Sequence, residues 1–344
     1  MVGVLTTSNR SKGAGQLMIA IVLIAIAAGC ASALMFASIV SGALISLLLF
    51  NLAPLPLMVA AFGWGPLSAT IGGIVAATGL GAIFGFPYCI AFVVTVALPA
   101  WWLGHLALLG RPVANGASGN GASPVAPDLE WYPVGRILLW ISAFAAVTTM
   151  ATLLTLGVDA ATITGTLRRG LLQILQIIAQ RDAAPTAESE QLIDALVTIA
   201  PAAAAIMAVT TLTLNLWLAT KIAATSGRLH RPKPDLKSVA LPPMTLVVLT
   251  VAVALCFVGG LLAMVAQIVA AALMMAYALT GFAVLHTLTL GSKNRGLWLS
   301  CTYAILVLSG GWLIVVMLAL GLADAIFGFR QRYLQRRPPP IPAS

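Results

Sequence analysis

Apolar side chains run almost unbroken through residues 16–62, 66–110, 134–157, 199–220, 239–290 and 296–329. The bilayer hydrocarbon core is about 30 Å thick and takes roughly 20 apolar residues per helical crossing, so these runs predict about eight full crossings. Barrel strands would alternate apolar and polar residues, and these runs do not. The expected helices lie at 17–34, 41–62, 67–83, 88–109, 135–156, 198–222, 244–257 and 261–286. The last run, 297–327, has Gly310 and Gly311 at its middle and reads as one long tilted helix or as a hairpin of two short ones.

Polar segments punctuate this pattern. Residues 110–133 are rich in Gly, Ala, Ser, Asn and Pro, as a flexible linker is. Between the fifth and sixth helices, residues 158–197 are more polar. Leu167, Leu171, Ile174, Leu175 and Ile178 fall on one helical face, with Arg168, Arg169, Gln173, Gln176 and Gln180 around most of the rest. That pattern predicts an amphipathic interfacial helix. A second short helix, 187–199, should run into the sixth, with Pro201 as a kink. The expected organisation is a tail at 1–15, one transmembrane domain at 16–329 and a basic, Pro-rich tail at 330–344.

Composition sharpens the class. The chain has 344 residues, 60% hydrophobic and 8% charged, where a soluble domain carries about 25% charged. The fold class is therefore all-α, a polytopic transmembrane helical bundle whose main partner is the lipid bilayer. The charges set its expected orientation by the positive-inside rule. Arg10 and Lys12 put the N-terminus in the cytoplasm, and the apolar run that follows reads as an uncleaved first helix. The linker at 110–133, the basic stretch at 223–241 and residues 293–295 then fall inside, and 158–197 falls outside, with three basic and five acidic residues. The four arginines after 329 want the inside too, which favours a final hairpin over a ninth crossing. The implied address is the cell's inner (plasma) membrane.

The net charge of +9 is explained by this topology, and no nucleic-acid motif accompanies it. Cys30, Cys89, Cys256 and Cys301 have neither zinc nor disulfide spacing. His105 and His286 sit near the ends of different helices, so no metal is expected. Arg136, Lys221 and Asp324 also lie near helix ends, and the absence of deeper charges argues against a proton-coupled pump.

Candidate chemistry centres on FNLAPLPLMVAAFGWGP, residues 50–66. Each Pro removes a backbone donor and crowds the preceding turn, so Pro54 and Pro56 should break the second helix. Broken backbone at membrane depth is tolerated where protein or a water-filled cavity satisfies it, and in transporters it marks binding sites. Asn51 adds donors and acceptors just before the break. The other reading is plain: the helix ends near Pro54 and a buried or interfacial turn follows. Asn215, with Thr211 one turn earlier, offers a second intramembrane amide that would bond across to another helix or touch a ligand. Ala69, Gly73, Ala77, Gly81 and Gly85 recur every four residues as a small-residue face for a partner or for internal packing, and Ala25, Gly29 and Ala33 form a weaker one. There is no Walker loop, zinc-protease helix, nucleophile elbow or paired intramembrane aspartates. No enzyme activity and no cofactor are expected, and transport would need energising partner proteins.

The run LLFNLAPLPLMVAAFGWGP with its Gly/Ala-rich continuation, and the ending LALGLADAIFGFRQR, resemble the YybS-like family of predicted bacterial multi-pass membrane proteins, a domain of unknown function. The likeness runs from about Leu17 to Arg332. That family has been likened to the substrate-binding membrane subunits of energy-coupling-factor vitamin transporters, and more loosely to the rod-shape scaffold MreD. The resemblance suits a transporter-type subunit binding a small organic solute or a non-transporting scaffold that organises envelope proteins; for the first, the broken helix and the intramembrane amides themselves offer Asn51, Pro54, Pro56 and Asn215 as contacts. The chain exceeds the six helices of those transporter subunits.

Overall fold

A computed structural model describes residues 3–112, 129–179, 187–229, 231–232 and 239–335. The fold is all-α among the described residues, apart from one short hairpin. Among the described residues, seven helices are long and apolar enough to cross a membrane, or eight if one bent pair counts as a single span. The chain forms two compact units, Met1–Tyr132 with Thr211–Lys233, and Pro133–Thr210 with Pro234–Ser344.

In the first unit, α1 (Gly3–Ala37) begins well before the expected start at 17, because nothing between Gly3 and Gln16 stops a helix. It pairs closely with α4 (Pro66–Phe84). A Cβ on Gly29 would stand 2.3 Å from the Gly72 carbonyl oxygen, and one on Gly72 would stand 2.6 Å from that of Ala25. Two backbones can approach this closely only where side chains are absent. Between them in sequence, α2 (Leu44–Asn51) and α3 (Pro54–Trp64) form one span of 21 residues. Then come α5 (Phe86–Phe92), a π turn at Val93–Ala97 and α6 (Leu98–Leu108). The π turn has a local cause: Pro99 has no N–H to offer Thr95, and Leu98 donates to Val93 five residues back.

The ends of the expected linker pair as β1 (Gly110–Pro112) and β2 (Leu129–Trp131), antiparallel, with Gly110 opposite Trp131. The linker's centre, 113–128, lies outside the described residues. Arg231 braces the hairpin's base, donating to the carbonyls of Ala107 and Tyr132, both at 2.9 Å, with its guanidinium 5.9 Å from the Trp131 ring centre. Burial pulls its pKa below the usual arginine value. The guanidinium of Arg228 lies 4.5 Å from the ring centre of Trp64. These two arginines, read from the sequence as topology signals, are also mechanical parts.

The second unit is built on α11 (Gly260–Leu288), whose apolar length is mostly buried. Around it pack α7 (Val134–Leu154), α10 (Met244–Leu255) and α13 (Trp312–Phe327). Leu249, Ala252, Ala270, Leu273 and Tyr277 form a buried cluster here. The last apolar run is two helices, α12 (Arg295–Leu308) and α13, separated at Gly310 and Gly311, whose φ angles of 59° and 97° end one helix before the next begins. After Gly328, a short α14 (Phe329–Gln335) leaves α13 at 64°. At 12 residues, α10 is shorter than a full crossing needs, because a helix rises only about 1.5 Å per residue.

The polar segment between the fifth and sixth expected helices folds as α8 (Ala160–Ala179) followed by α9 (Ala187–Thr225). The predicted short helix at 187–199 runs on into the sixth as one continuous helix with Pro201 inside it. Within the second unit, Arg168 pairs with Asp194, an exposed contact of small energetic weight. Asp159 caps α8: its Oδ1 accepts the Thr162 N–H at 2.9 Å and its Oδ2 accepts the Thr162 hydroxyl at 2.7 Å. These bonds hold its carboxyl below the usual carboxylate pKa. A depressed folded pKa stabilises the cap above the unfolded value and loses that stabilisation as pH falls through the folded one. Corrected for the intrinsic rate at each pH, the protection of the Thr162 and Ile163 amides should therefore fall on acidification below the ordinary carboxylate range, and Asp159→Ala should show the reduced protection already at neutral pH. Equal protection in both proteins would contradict the cap.

Candidate functional site

Asn51 is the last residue of α2, and Leu52 and Ala53 form the turn into α3. Pro54 and Pro56 have no N–H, so the helical ladder is cut there. The chain adapts with shorter bonds: Ala53 donates to Phe50 at 3.2 Å and Leu55 donates to Leu52 at 3.0 Å. In a regular helix the Leu55 N–H would have bonded the carbonyl of Asn51. That carbonyl is taken instead by Asn215, whose Nδ2 donates to it at 2.8 Å. The same Nδ2 donates to Thr211 O at 2.8 Å, and the Thr211 hydroxyl donates to Asn51 Oδ1 at 3.0 Å. Asn51 Nδ2 donates back to Leu47 O at 2.7 Å. The break is thus stitched by side chains of α9, all within the first unit. Ser32 adds a stitch from α1, donating to Ala53 O at 2.6 Å.

The two asparagines singled out in the sequence are therefore in direct contact. Pro54 is buried and Pro56 half-buried beside them. The sequence reading expected a break sharper than a bend. The observed interruption is one turn inside a single span, because the stitches replace the lost bonds. One group is left over. Asn215 is fully buried, and its Oδ1 has no hydrogen-bond partner among the described residues. An unmet buried acceptor costs about 1–3 kcal/mol.

The small-residue stripe divides. Ala69, Gly73 and Ala77 are buried on α4, and Gly73 faces Ala97 of the π turn, where an added Cβ would lie 3.4 Å from that methyl. Gly81 faces Cys89 at 3.2 Å. Gly85 is not part of the face. It sits at φ 93° and ends α4. The closest approach on α4 is made by Gly72, one position off the stripe, against Gly29 of α1. Beside the stripe, Ala69, Gly73, Ala77, Val93, Ala97 and Trp101 line an apolar groove of about 330 Å³.

The sequence reading missed three features: Ser32, the π turn, and a buried ion pair in the second unit. In that pair Arg330 Nε donates to Asp324 Oδ2 at 2.7 Å, the Arg330 backbone N–H donates to Asp324 Oδ1 at 2.9 Å, and Nη1 donates to Val239 O. The signal for it was the spacing Asp-x5-Arg across Gly328, which permits a chain reversal.

Large apolar side chains stand exposed along the candidate spans, among them Met18, Leu44, Leu67, Ile83 and Phe86. In water such a surface would be untenable, and in lipid it is ordinary. The fold and the buried amide stitch thus define an all-α integral membrane protein in contact with the bilayer. No family model, characterised protein or solved structure matches the chain.

Proposed function

We propose that this protein is a transporter-type membrane subunit that binds a small organic solute at the α2–α3 interruption. The carrying observation is the Asn215 Oδ1 acceptor, buried and unpaired beside a helix break. A solute with an N–H or O–H donor would complete it, and local opening of the Thr211–Asn51 bond would admit that donor. Asn51, Asn215 and the turn shaped by Pro54 and Pro56 form the contact surface. Energy would come from partner proteins, as the chain carries no ATP-binding motif. An inner-membrane location with both termini cytoplasmic agrees with its basic segments, and kinship with the YybS-like family would fit the same role.

A second reading has its own observation. Asn51, Thr211 and Asn215 otherwise satisfy one another, and the α1–α4 contact is as close as backbones allow. Such rigid packing suits a non-transporting scaffold for envelope proteins.

Purification in mild detergent, with mass spectrometry of co-purifying proteins and extracted small molecules, separates the two. The transporter reading expects a retained solute that falls about tenfold or more in Asn51→Ala and Asn215→Leu, the scale of a lost buried hydrogen-bond pair. It also expects only modest destabilisation of those variants, about 1–2 kcal/mol. Envelope-assembly proteins without a solute would favour the scaffold.

A further inference from the structure

The second unit holds a cleft of about 680 Å³ at the corner where α14 leaves α13. One wall is Ala240, Leu241 and Pro243, and the other runs from Asp324 to Gln335. Its charges are unequal. Asp324 is matched by Arg330, both buried. Arg332 also lines the cleft, is exposed, and has no ion pair among the described residues. Gln331 and Gln335 add amide donors at the same rim. Next to this polar rim, Ile326, Phe327 and Phe329 turn apolar side chains outward, with Ile326 60% exposed.

We infer that this cleft holds the phosphate headgroup of an anionic phospholipid, with the acyl chains on Ile326 and Phe327. A guanidinium presents paired N–H groups that match phosphate oxygens. A soluble phosphate would gain nothing from the adjoining apolar surface, whereas a lipid uses both. Basic pockets at the ends of membrane helices recognise anionic headgroups in this way. With Arg330 neutralised by Asp324, Arg332 supplies the net positive charge of the cleft. Arg330 is the positioning residue: by binding Asp324 and Val239 it sets the corner and leaves Arg332 at the mouth.

Native mass spectrometry of delipidated full-length protein tests this, with phosphatidylglycerol, phosphatidylcholine and inorganic phosphate added separately. Phosphatidylglycerol should stay bound at collision energies that strip phosphatidylcholine. Arg332→Gln should cut phosphatidylglycerol retention about fivefold, the scale of one basic residue at an anionic surface, with an unchanged melting temperature because Arg332 is exposed. Equal retention of the two lipids, or no effect of Arg332→Gln, overturns the inference. Displacement of phosphatidylglycerol by millimolar inorganic phosphate overturns it too, and assigns the cleft to a free anion. None of these outcomes depends on the solute site of the first unit.

Discussion

A single methyl group on Gly281 is expected to destabilise the protein by about 3 kcal/mol, the upper range for overpacking a tight core. Its Cβ would lie 1.9 Å from the carbonyl oxygen of Met317 and 3.2 Å from the nitrogen of Gly321. These are backbone atoms of α13, so no rotamer change can make room. The helices must separate, and the loss spreads along the contact between α11 and α13. Gly321→Ala should behave alike, since its Cβ would lie 2.0 Å from Tyr277 O. Both changes open the same contact, so the double variant should cost less than the sum. Gly165→Ala is the control: an added Cβ there meets nothing within 4 Å, and alanine is the better helix former. Thermal unfolding in detergent reads all four variants. A Gly281→Ala protein that melts with the wild type would sink this account of the packing.

How such contacts could be read beforehand differs from helix to helix. The crossings were legible because a lipid-spanning helix needs length and apolarity, and both are local properties. The glycine break was legible for the same reason: Gly310 and Gly311 divide the last run where they stand in the sequence. The choice of packing partner is not local. The fourfold spacing of Ala69, Gly73 and Ala77 marks a small-residue side of α4, and these three are buried. It could not say that Gly72 would make the closest approach, because that depends on where Gly29 of α1 arrives. Asn51 and Asn215 were found as isolated polar residues in apolar runs, where any amide must find a partner. That they partner each other follows only from the fold. The break at Pro54 and Pro56 lies where the sequence puts it, but the sequence shows only the donors lost and not the side chains that replace them. Asp324 reads as an ordinary end-of-helix charge and Arg330 as part of a basic tail, and the corner that buries them together exists only in three dimensions.

That buried pair carries the second large effect. Asp324→Ala is expected to cost about 3–5 kcal/mol, because it strands the Arg330 guanidinium in a site built for an ion pair. The two side chains are only 6% and 8% exposed, so water cannot take over. Asp324→Asn should cost less than Asp324→Ala, since Oδ1 can still accept the Arg330 backbone N–H. Arg330→Met should also destabilise the chain, and it frees the Val239 carbonyl besides. The informative protein is the double variant, Asp324→Leu with Arg330→Met. Replacing a whole buried pair by apolar residues of similar volume is often neutral or stabilising. The double should therefore recover most of the stability that either single change loses. Charged residues inside membrane proteins are by default suspects for function, and this experiment decides between that and a structural role. Recovery of the melting temperature in the double, with the α13–α14 corner still protected from protease, means the pair is a fastener. Single variants as stable as the wild type would mean that the charges are kept for something other than the fold.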